Sequence, residues 1–296
     1  MQRKTAQDFD QELLLLFDAY VHGGIDRRGF LQGAQKFAVG GLTAAGLLAA
    51  LSPDFARAQV VPKNDSRIKT EVLDYASPNG SGAMKGYLAR PANATGKLPG
   101  ILVVHENRGL NPHIEDIARR LAVDGYMAFA PDALTPLGGY PGNEDKAREM
   151  FPILDQSQTR EDFVNAANML KGRADCTGKI GAVGFCYGGG IVNMLSVRLP
   201  ELSAAVAFYG PQPAVADAVK VKAHLLMHFA SVDNFINPGR AAYEAALKAA
   251  GVKFEAFEYA GTQHGFNNDT TPRFDAAAAK LAWERTMGLL NQAVKA

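Results

Sequence analysis

Most of the chain alternates between two patterns of apolar and polar residues. Short apolar runs predict buried strands, and longer stretches with apolar residues three or four positions apart predict helices. The predicted strands are Ile68 to Tyr75, Ala83 to Arg90, Gly100 to His105, Tyr126 to Ala130, Ile180 to Val183, Ala204 to Tyr209, His224 to Ala230 and Lys253 to Tyr259. The predicted helices are Ile114 to Val123, Thr159 to Gly172, Ile191 to Leu199, Arg240 to Ala250 and Phe274 to Val294.

This order of elements predicts the architecture of residues 59–296. The first two strands are separated by Ser77 to Gly82, a Pro, Asn and Gly-containing stretch typical of a turn, and they are expected to form an antiparallel hairpin. The strands and helices that follow alternate, which is typical of an α/β fold. We therefore predict a single domain with one mostly parallel, doubly wound sheet that begins with a β-hairpin.

Residues 1–58 follow a different pattern. The stretch Asp26 to Leu31 contains paired arginines, and it is followed by the weakly hydrophobic Phe37 to Leu51 and by the A-x-A site Ala56-Arg57-Ala58. This order is typical of a twin-arginine export signal that is cleaved after its A-x-A site. A buried amphipathic helix with two incidental arginines is the alternative.

The export prediction has consequences for the rest of the segment. A helix over Phe9 to Tyr20 would belong to the long region ahead of the arginines and not to the catalytic fold, and His22 would leave with the signal. The mature protein would be periplasmic or secreted. The twin-arginine export machinery is then the expected partner of the precursor.

Composition narrows the range of partners. The formal net charge is +1 at pH 7, so no surface for nucleic acid or another polyanion is indicated. No apolar run reaches the roughly 18 to 20 residues needed to cross a bilayer, and no stable membrane span is expected after cleavage.

The chain has two cysteines, Cys176 and Cys186. Even a short extended run between them places their Cα atoms about 16 Å apart, whereas a disulfide needs Cα atoms within about 7 Å. We therefore expect both thiols to be free, with Cys176 at the start of a strand.

The glycine-rich stretch around Cys186 is the strongest chemical signal. Gly184-Phe-Cys186-Tyr-Gly188 lies between a predicted strand and a predicted helix, in the spacing of a nucleophile elbow with sulfur in place of the usual serine oxygen. Such a turn holds its central residue strained and exposed. The backbone N–H of Tyr187, at the start of the next helix, is expected to stabilise an oxyanion.

Two further residues complete a candidate triad. Asp233 and His264 each follow a predicted strand, where active-site residues of a parallel sheet are expected, and the chain order of nucleophile, acid and base is that of an α/β-hydrolase. Asp132 and Asp217 are the alternative acids, but Asp132 precedes the elbow and Asp217 lies in a loop or helix. His264 lies in a polar loop that is expected to be flexible.

A metal site was also considered at His105, Glu106 and His113. These residues match no helical zinc motif, so the sequence predicts neither a metal nor a cofactor.

With these motifs the chain resembles the dienelactone hydrolase family, a cysteine-dependent branch of the α/β-hydrolases, over about residues 60–296. The most specific motifs are Gly-Phe-Cys-Tyr-Gly-Gly-Gly, His-Glu-Asn-Arg-Gly and Gly-Thr-Gln-His-Gly-Phe. The resemblance implies that Glu106 contacts the resting thiol and helps to remove its proton. It also implies that the backbone N–H of Asn107 is a second oxyanion donor.

The resemblance is incomplete at the substrate-binding positions. Family members that cleave dienelactone hold its carboxylate with two arginines, and the matching stretches here, 133–139 and 267–269, contain none. Arg108 is a candidate substitute. The sequence thus predicts a hydrolase of a small ester or lactone that acts through a thioester on Cys186. The alternative is a periplasmic binding or redox-sensing protein with an exposed thiol that does not hydrolyse.

Overall fold

The computed structural model of the chain describes residues 4–295. Its central element is an eight-stranded sheet in the order β1-β2-β4-β3-β5-β6-β7-β8, in which the β1–β2 and β2–β4 pairs are antiparallel and all other pairs are parallel. The strands are β1 Ile68–Ser77, β2 Gly82–Pro91, β3 Leu98–Val104, β4 Met127–Pro131, β5 Cys176–Phe185, β6 Ala204–Phe208, β7 His224–Val232 and β8 Phe254–Gln263. The predicted hairpin and the mostly parallel sheet are both confirmed.

Ten α-helices are described. They are α1 Gln11–Val21, α2 Arg27–Ala34, α3 Ala44–Leu51, α4 Phe55–Ala58, α5 Pro112–Val123, α6 Glu144–Met150, α7 Gln156–Gly172, α8 Tyr187–Arg198, α9 Asn237–Ala249 and α10 Ala276–Leu290. A short π-helical segment, Asn291–Lys295, follows α10. None of the described helices is long and apolar enough to cross a membrane.

Each face of the sheet is covered by an apolar cluster. One cluster joins the sheet to α7, α8 and α9, and the other joins it to α5 and α10. The central strands are buried on both faces, which explains why β4 and β6 consist of uninterrupted apolar and small residues. This two-sided burial positions the carboxyl ends of the parallel strands at one edge, where loops can bring side chains together.

Residues 4–58 form a small helical unit on that edge. Its apolar residues pack mainly against one another, in a cluster separate from the two that cover the sheet. The cluster comprises Leu13, Leu14, Phe17, Tyr20, Phe30, Ala34, Leu47, Leu48 and Leu51. The helix predicted over Phe9 to Tyr20 is present as α1, but the expectation that it stays apart from the catalytic fold is wrong, because α1 and the turn after it contact the site described below.

The structure also differs from the prediction at the start of one helix and in one additional helix. Helix α8 begins at Tyr187, four residues earlier than predicted from Ile191, because the glycines that suggested an extended turn form its first turn. Helix α6 was not predicted, because its polar sequence has no apolar period. Cys176 and Cys186 are free and lie at opposite ends of β5, as expected.

Candidate active site

Cys186 lies at the sharp turn between β5 and α8. Its φ of 54° and ψ of −117° are strained for a residue with a side chain, and only one other non-glycine residue of the described chain, Tyr209, has a positive φ. Gly184 and Gly188 are required here, because a Cβ on Gly184 would overlap the Gly188 backbone and a Cβ on Gly188 would overlap the Val104 carbonyl. The turn therefore has the nucleophile-elbow geometry predicted from the spacing.

His264 and Asp233 lie beside Cys186, on the loops after β8 and β7. The His264 Nδ1 is 2.6 Å from Asp233 Oδ2, and both side chains are almost fully buried. The other carboxylate oxygen of Asp233 accepts hydrogen bonds from the backbone N–H groups of Phe235 and Ile236. These contacts fix the orientation of the imidazole in this structure, and the flexibility expected of the loop at His264 stays a prediction.

Asp132 and Asp217, the alternative acids, are not part of this cluster. Asp132 accepts hydrogen bonds from the backbone N–H groups of Leu110, Leu134 and Tyr140 and so organises the loop after β4. Asp217 is partly exposed and pairs with Lys220.

The protonation of the thiol is shifted by its neighbours. Burial raises the pKa of Cys186, but the charge of His264 and a hydrogen bond from His22 outweigh burial and lower the pKa to about 6. Burial lowers the pKa of His264, and the Cys186 thiolate and Asp233 more than reverse this and raise it to about 9. Near neutral pH the site is therefore expected to rest as a thiolate beside an imidazolium.

His22, from the turn after α1, is the unexpected neighbour of the thiol. Its Nε2 lies 3.6 Å from Cys186 Sγ and 3.2 Å from His264 Nε2. Burial lowers the pKa of His22, but hydrogen bonds to Asp18 and Cys186 raise it to about 11. The prediction that Cys186 is exposed is wrong. Only 8% of its surface is accessible, because residues of the N-terminal unit cover it.

Other groups of the N-terminal unit also contact the site. The Val21 carbonyl accepts hydrogen bonds from Asn107 Nδ2 at 2.9 Å and from both terminal nitrogens of Arg108 at 3.2 Å. The Asp18 carboxylate forms a 2.9 Å ion pair with Arg273. Sequence reasoning missed this role of residues 18–22, because a motif assigned to export gave no reason to place them at the site.

His22 separates two cavities that both reach Cys186. The inner one measures about 50 Å³ and has charged side chains among its lining residues, including Glu106, Arg108 and Arg273. The outer groove measures about 460 Å³ and has apolar lining residues, including Phe151, Pro211 and Ile236. Since one water occupies about 30 Å³ of liquid, the inner cavity holds at most a few waters while the N-terminal unit is docked.

Arg273 is an arginine after His264 that the expected stretch, 267–269, did not include. It lies four residues beyond that stretch, and it lines the inner cavity together with Arg108. Arg108 is nearly buried, and Glu144 lies 3.8 Å from its Nε. A short scan after His264 was too narrow to find Arg273, because the loop that returns it is set by tertiary structure.

Glu106 and Asn107 follow β3 and line the inner cavity together with Cys186. The Glu106 Oε2 accepts a 3.1 Å hydrogen bond from Asn268 Nδ2. The alternative to a proton-acceptor role is a structural salt bridge between Glu106 and Arg108 or Arg119. Both arginines pair with other carboxylates, Arg108 with Glu144 and Arg119 with Glu115 and Asp116. Tyr187 begins α8, lines the outer groove, and donates its hydroxyl to Gln156.

The metal site considered at His105, Glu106 and His113 does not form within residues 4–295. His105 accepts a hydrogen bond from the Ala133 N–H, and His113 faces Asp269. A different group converges, since one ligand atom each from His22, Cys186 and His264 lie within 4.8 Å of one another.

Comparison with known proteins agrees with this geometry. Residues 84–294 match the family model described as the dienelactone hydrolase family, and residues 1–39 match a second model described as YqhI-like. A protein of Escherichia coli strain K12 provisionally named a carboxymethylenebutenolidase is 31% identical over 229 residues, which cover 73% of this chain and 84% of that protein. A hydrolase fragment of the same strain, named YghX, is 54% identical over 114 residues, 38% of this chain and 97% of the fragment.

A solved structure is also similar. The crystal structure of a provisionally assigned dienelactone hydrolase from Klebsiella pneumoniae has a TM-score of 0.67 and 30% identity, over 76% of this chain and 99% of that one. The predicted α/β-hydrolase fold is thereby confirmed. The strained cysteine at the strand-to-helix turn and the family match over most of the sheet domain lead to one conclusion: this chain belongs to the dienelactone hydrolase family and is a hydrolase of the ester- and lactone-cleaving type.

Proposed function

We propose that the chain hydrolyses a small ester or lactone through Cys186 and a thioester intermediate. The observation that carries this proposal is the strained Cys186, whose thiol lies beside a histidine that Asp233 holds at 2.6 Å. The thiolate attacks the substrate carbonyl, and the leaving alkoxide takes a proton from His264. Water then attacks the thioester and gives a proton to His264, which releases the acid and restores the thiolate.

The oxyanion of each tetrahedral intermediate is assigned to two backbone N–H groups. Tyr187 is the first residue of α8, so its N–H points from the positive end of the helix dipole. Asn107 lies across the cavity on the loop after β3 and lines the same space as the thiol.

Glu106 is proposed as a proton acceptor that helps to convert the Cys186 thiol into the resting thiolate. It shares the inner cavity with Cys186, although its hydrogen bond is to Asn268. A carboxylate that only lay nearby would raise the thiol pKa by repulsion, so an active role gives this residue a purpose.

The two cavities support a substrate with two unlike parts. The apolar outer groove suits an alkyl or aryl group, and Arg108 and Arg273 in the inner cavity suit an acidic acyl group. The Asp18 carboxylate occupies Arg273 in the docked form, so the N-terminal unit has to withdraw before an acidic substrate binds there.

We also propose that residues 1–58 act as a twin-arginine export signal that is cleaved after Ala58, releasing a periplasmic or secreted enzyme. The twin-arginine motif and the A-x-A site support this assignment. Because the route carries folded proteins, the precursor would travel with its site covered by α1 and the turn after it. Cleavage would then remove His22 and uncover Cys186.

The test is hydrolysis of 4-nitrophenyl acetate by the full chain and by a chain that begins at Gln59. We expect turnover that is lost after alkylation of Cys186 and that is faster in the shorter chain. Absence of turnover in both chains, with an alkylatable thiol, would favour a non-hydrolytic redox or binding protein. Mass spectrometry of the exported protein tests the cleavage site, and a start well upstream of Gln59 would contradict it.

A further inference from the structure

Three side chains from two parts of the molecule bring possible metal-ligand atoms within 4.8 Å of one another. They are His22 from the N-terminal unit, Cys186 from the elbow and His264 from the loop after β8. We propose that these residues bind a Zn²⁺ ion, which joins the N-terminal unit to the catalytic thiol.

The distances fit a tetrahedral zinc ion. Zn–N bonds of about 2.05 Å and Zn–S bonds of about 2.3 Å place two nitrogen ligands about 3.3 Å apart, and a nitrogen and a sulfur about 3.6 Å apart. The observed separations are 3.2 Å between the Nε2 atoms of His22 and His264 and 3.6 Å between His22 Nε2 and Cys186 Sγ. The three ligands leave a fourth position for water or another ligand.

Both histidines have the outer hydrogen bonds that metal-binding imidazoles usually have. The Nδ1–H of His264 donates to Asp233 Oδ2 at 2.6 Å, and the Nδ1–H of His22 donates to the Asp18 carbonyl at 2.8 Å. These contacts leave each Nε2 directed away from its outer partner and free to act as a ligand once it gives up its proton. A zinc ion would replace the protons that hold the two Nε2 atoms and the thiolate close together in the metal-free site.

The surrounding charges suit a divalent ion. The Asp18 and Asp233 carboxylates lie next to the two histidines, and the thiolate adds a third negative charge. The nearby positive charges are Arg273 and Arg108. Arg273 is paired with Asp18, and Arg108 donates hydrogen bonds to the Val21 carbonyl. One thiolate and two imidazoles favour Zn²⁺ over Mg²⁺ or Ca²⁺, which prefer oxygen ligands.

Zinc binding at this point would control the enzyme. The ion takes the electron pair of the nucleophile and that of the catalytic base, so the zinc form cannot attack an ester. Because the thiol is already ionised near neutral pH, the protons that binding releases are those on the two Nε2 atoms. The ion would thereby hold the docked unit in place until a chelating agent or a competing ligand removes it.

The test measures metal binding by the reduced full chain after treatment with a chelator and dialysis. Zn²⁺ is titrated in competition with a chromophoric chelator, and Co²⁺ is used as a second probe because a cobalt–thiolate bond gives a near-ultraviolet charge-transfer band. We expect one ion per chain. His22→Ala should weaken Zn²⁺ binding at least about 100-fold, since loss of a mere outer hydrogen bond already costs up to that much.

The matched control is His224→Ala, which removes a histidine that also lies beside a carboxylate, Glu255, but at the amino end of β7, the opposite end of that strand from Asp233. Its affinity should equal that of the wild type. His22→Asn is the second variant if His22→Ala misfolds by circular dichroism. Equal affinity in a folded His22 variant, binding no tighter than about 1 mM, or bound Co²⁺ without the thiolate band would each overturn the proposal. Zn²⁺ binding is measured without substrate. The result therefore tests the zinc site even if the chain proves not to hydrolyse esters.

Discussion

The sheet domain and the N-terminal unit both reach Cys186, but they position their groups by different means. The sheet places Cys186, Asp233 and His264 directly after the ends of β5, β7 and β8, where strand pairing fixes the backbone. The N-terminal unit places His22 through an ion pair and hydrogen bonds between side chains and loops. One arrangement is built into the core, and the other depends on contacts that can separate.

The apolar clusters make the same distinction. The residues that cover the sheet form two clusters with its helices, whereas α1, α2 and α3 close a cluster of their own. Undocking the N-terminal unit would therefore break polar contacts without opening a major core. The sheet domain is held together by apolar packing, whereas the N-terminal unit is held on it by polar contacts. The covering of the active site can therefore be lost while the sheet domain stays folded.

The largest expected effect is a loss of ester hydrolysis when Cys186, which the sheet positions, is replaced. Cys186→Ser should lower the rate of ester hydrolysis by at least about 10³-fold, because a hydroxyl ionises far less readily than a thiol in the same place. The measurement is 4-nitrophenyl acetate turnover, with the thermal midpoint as a check on folding. The matched control is Cys176→Ser, at the far end of β5. Full activity in a folded Cys186→Ser variant would disprove the assigned nucleophile.

Glu106 tests whether a loop residue of the sheet domain belongs to the chemistry. Glu106→Gln should slow acylation by about 10²-fold, the usual scale for loss of a proton acceptor, and leave the thermal midpoint nearly unchanged. Stopped-flow burst kinetics with an aryl ester measure acylation. Glu144→Gln, another carboxylate that lines the inner cavity, is the control and should change acylation little. A destabilised Glu106→Gln protein that acylates normally would make Glu106 structural.

Replacement of Asp18 tests whether the N-terminal unit is held on the sheet domain by polar contacts. Its pair with Arg273 is about 90% buried on both sides, so Asp18→Asn leaves an unpaired guanidinium and should open the N-terminal unit at least about tenfold more often. Limited proteolysis between α1 and α2 reports this opening. The control is Lys280→Ala, which removes an exposed pair with Glu284 and should not change cleavage. Unchanged cleavage in Asp18→Asn would show that other contacts hold the unit.

The smallest effect is a shift in pH dependence. Because the pKa of Cys186 is lowered to about 6, the thiolate is present above that pH, and alkylation by iodoacetamide should fall as the pH drops through 6. His22→Gln removes one of the causes, so the midpoint should rise by about one pH unit. The experiment is run with EDTA present, and His224→Gln is the control. An unshifted midpoint would mean that His264 alone lowers the pKa.

Much of the fold could be predicted from sequence because local pattern reports burial directly. The apolar β4 and β6 and the turn at Ser77 to Gly82 each predict their structure without reference to distant residues. The convergence of Cys186, Asp233 and His264, the proposed triad, could be predicted for a related reason. In a parallel sheet, residues that follow the carboxyl ends of strands lie at the same edge, so chain position is enough to bring these three together.

Other features were decided only by tertiary structure. Arg273 reaches the inner cavity through a returning loop, and no periodicity encodes the path of such a loop. His22 and Asp18 reach the site because a small helical unit closes on its own apolar cluster and docks as a body. The sequence determined the helices, the strands and the reactive side chains at strand ends, since these depend on neighbouring residues. The covering of Cys186 depends on contacts between residues more than 160 positions apart, which only the folded chain brings together.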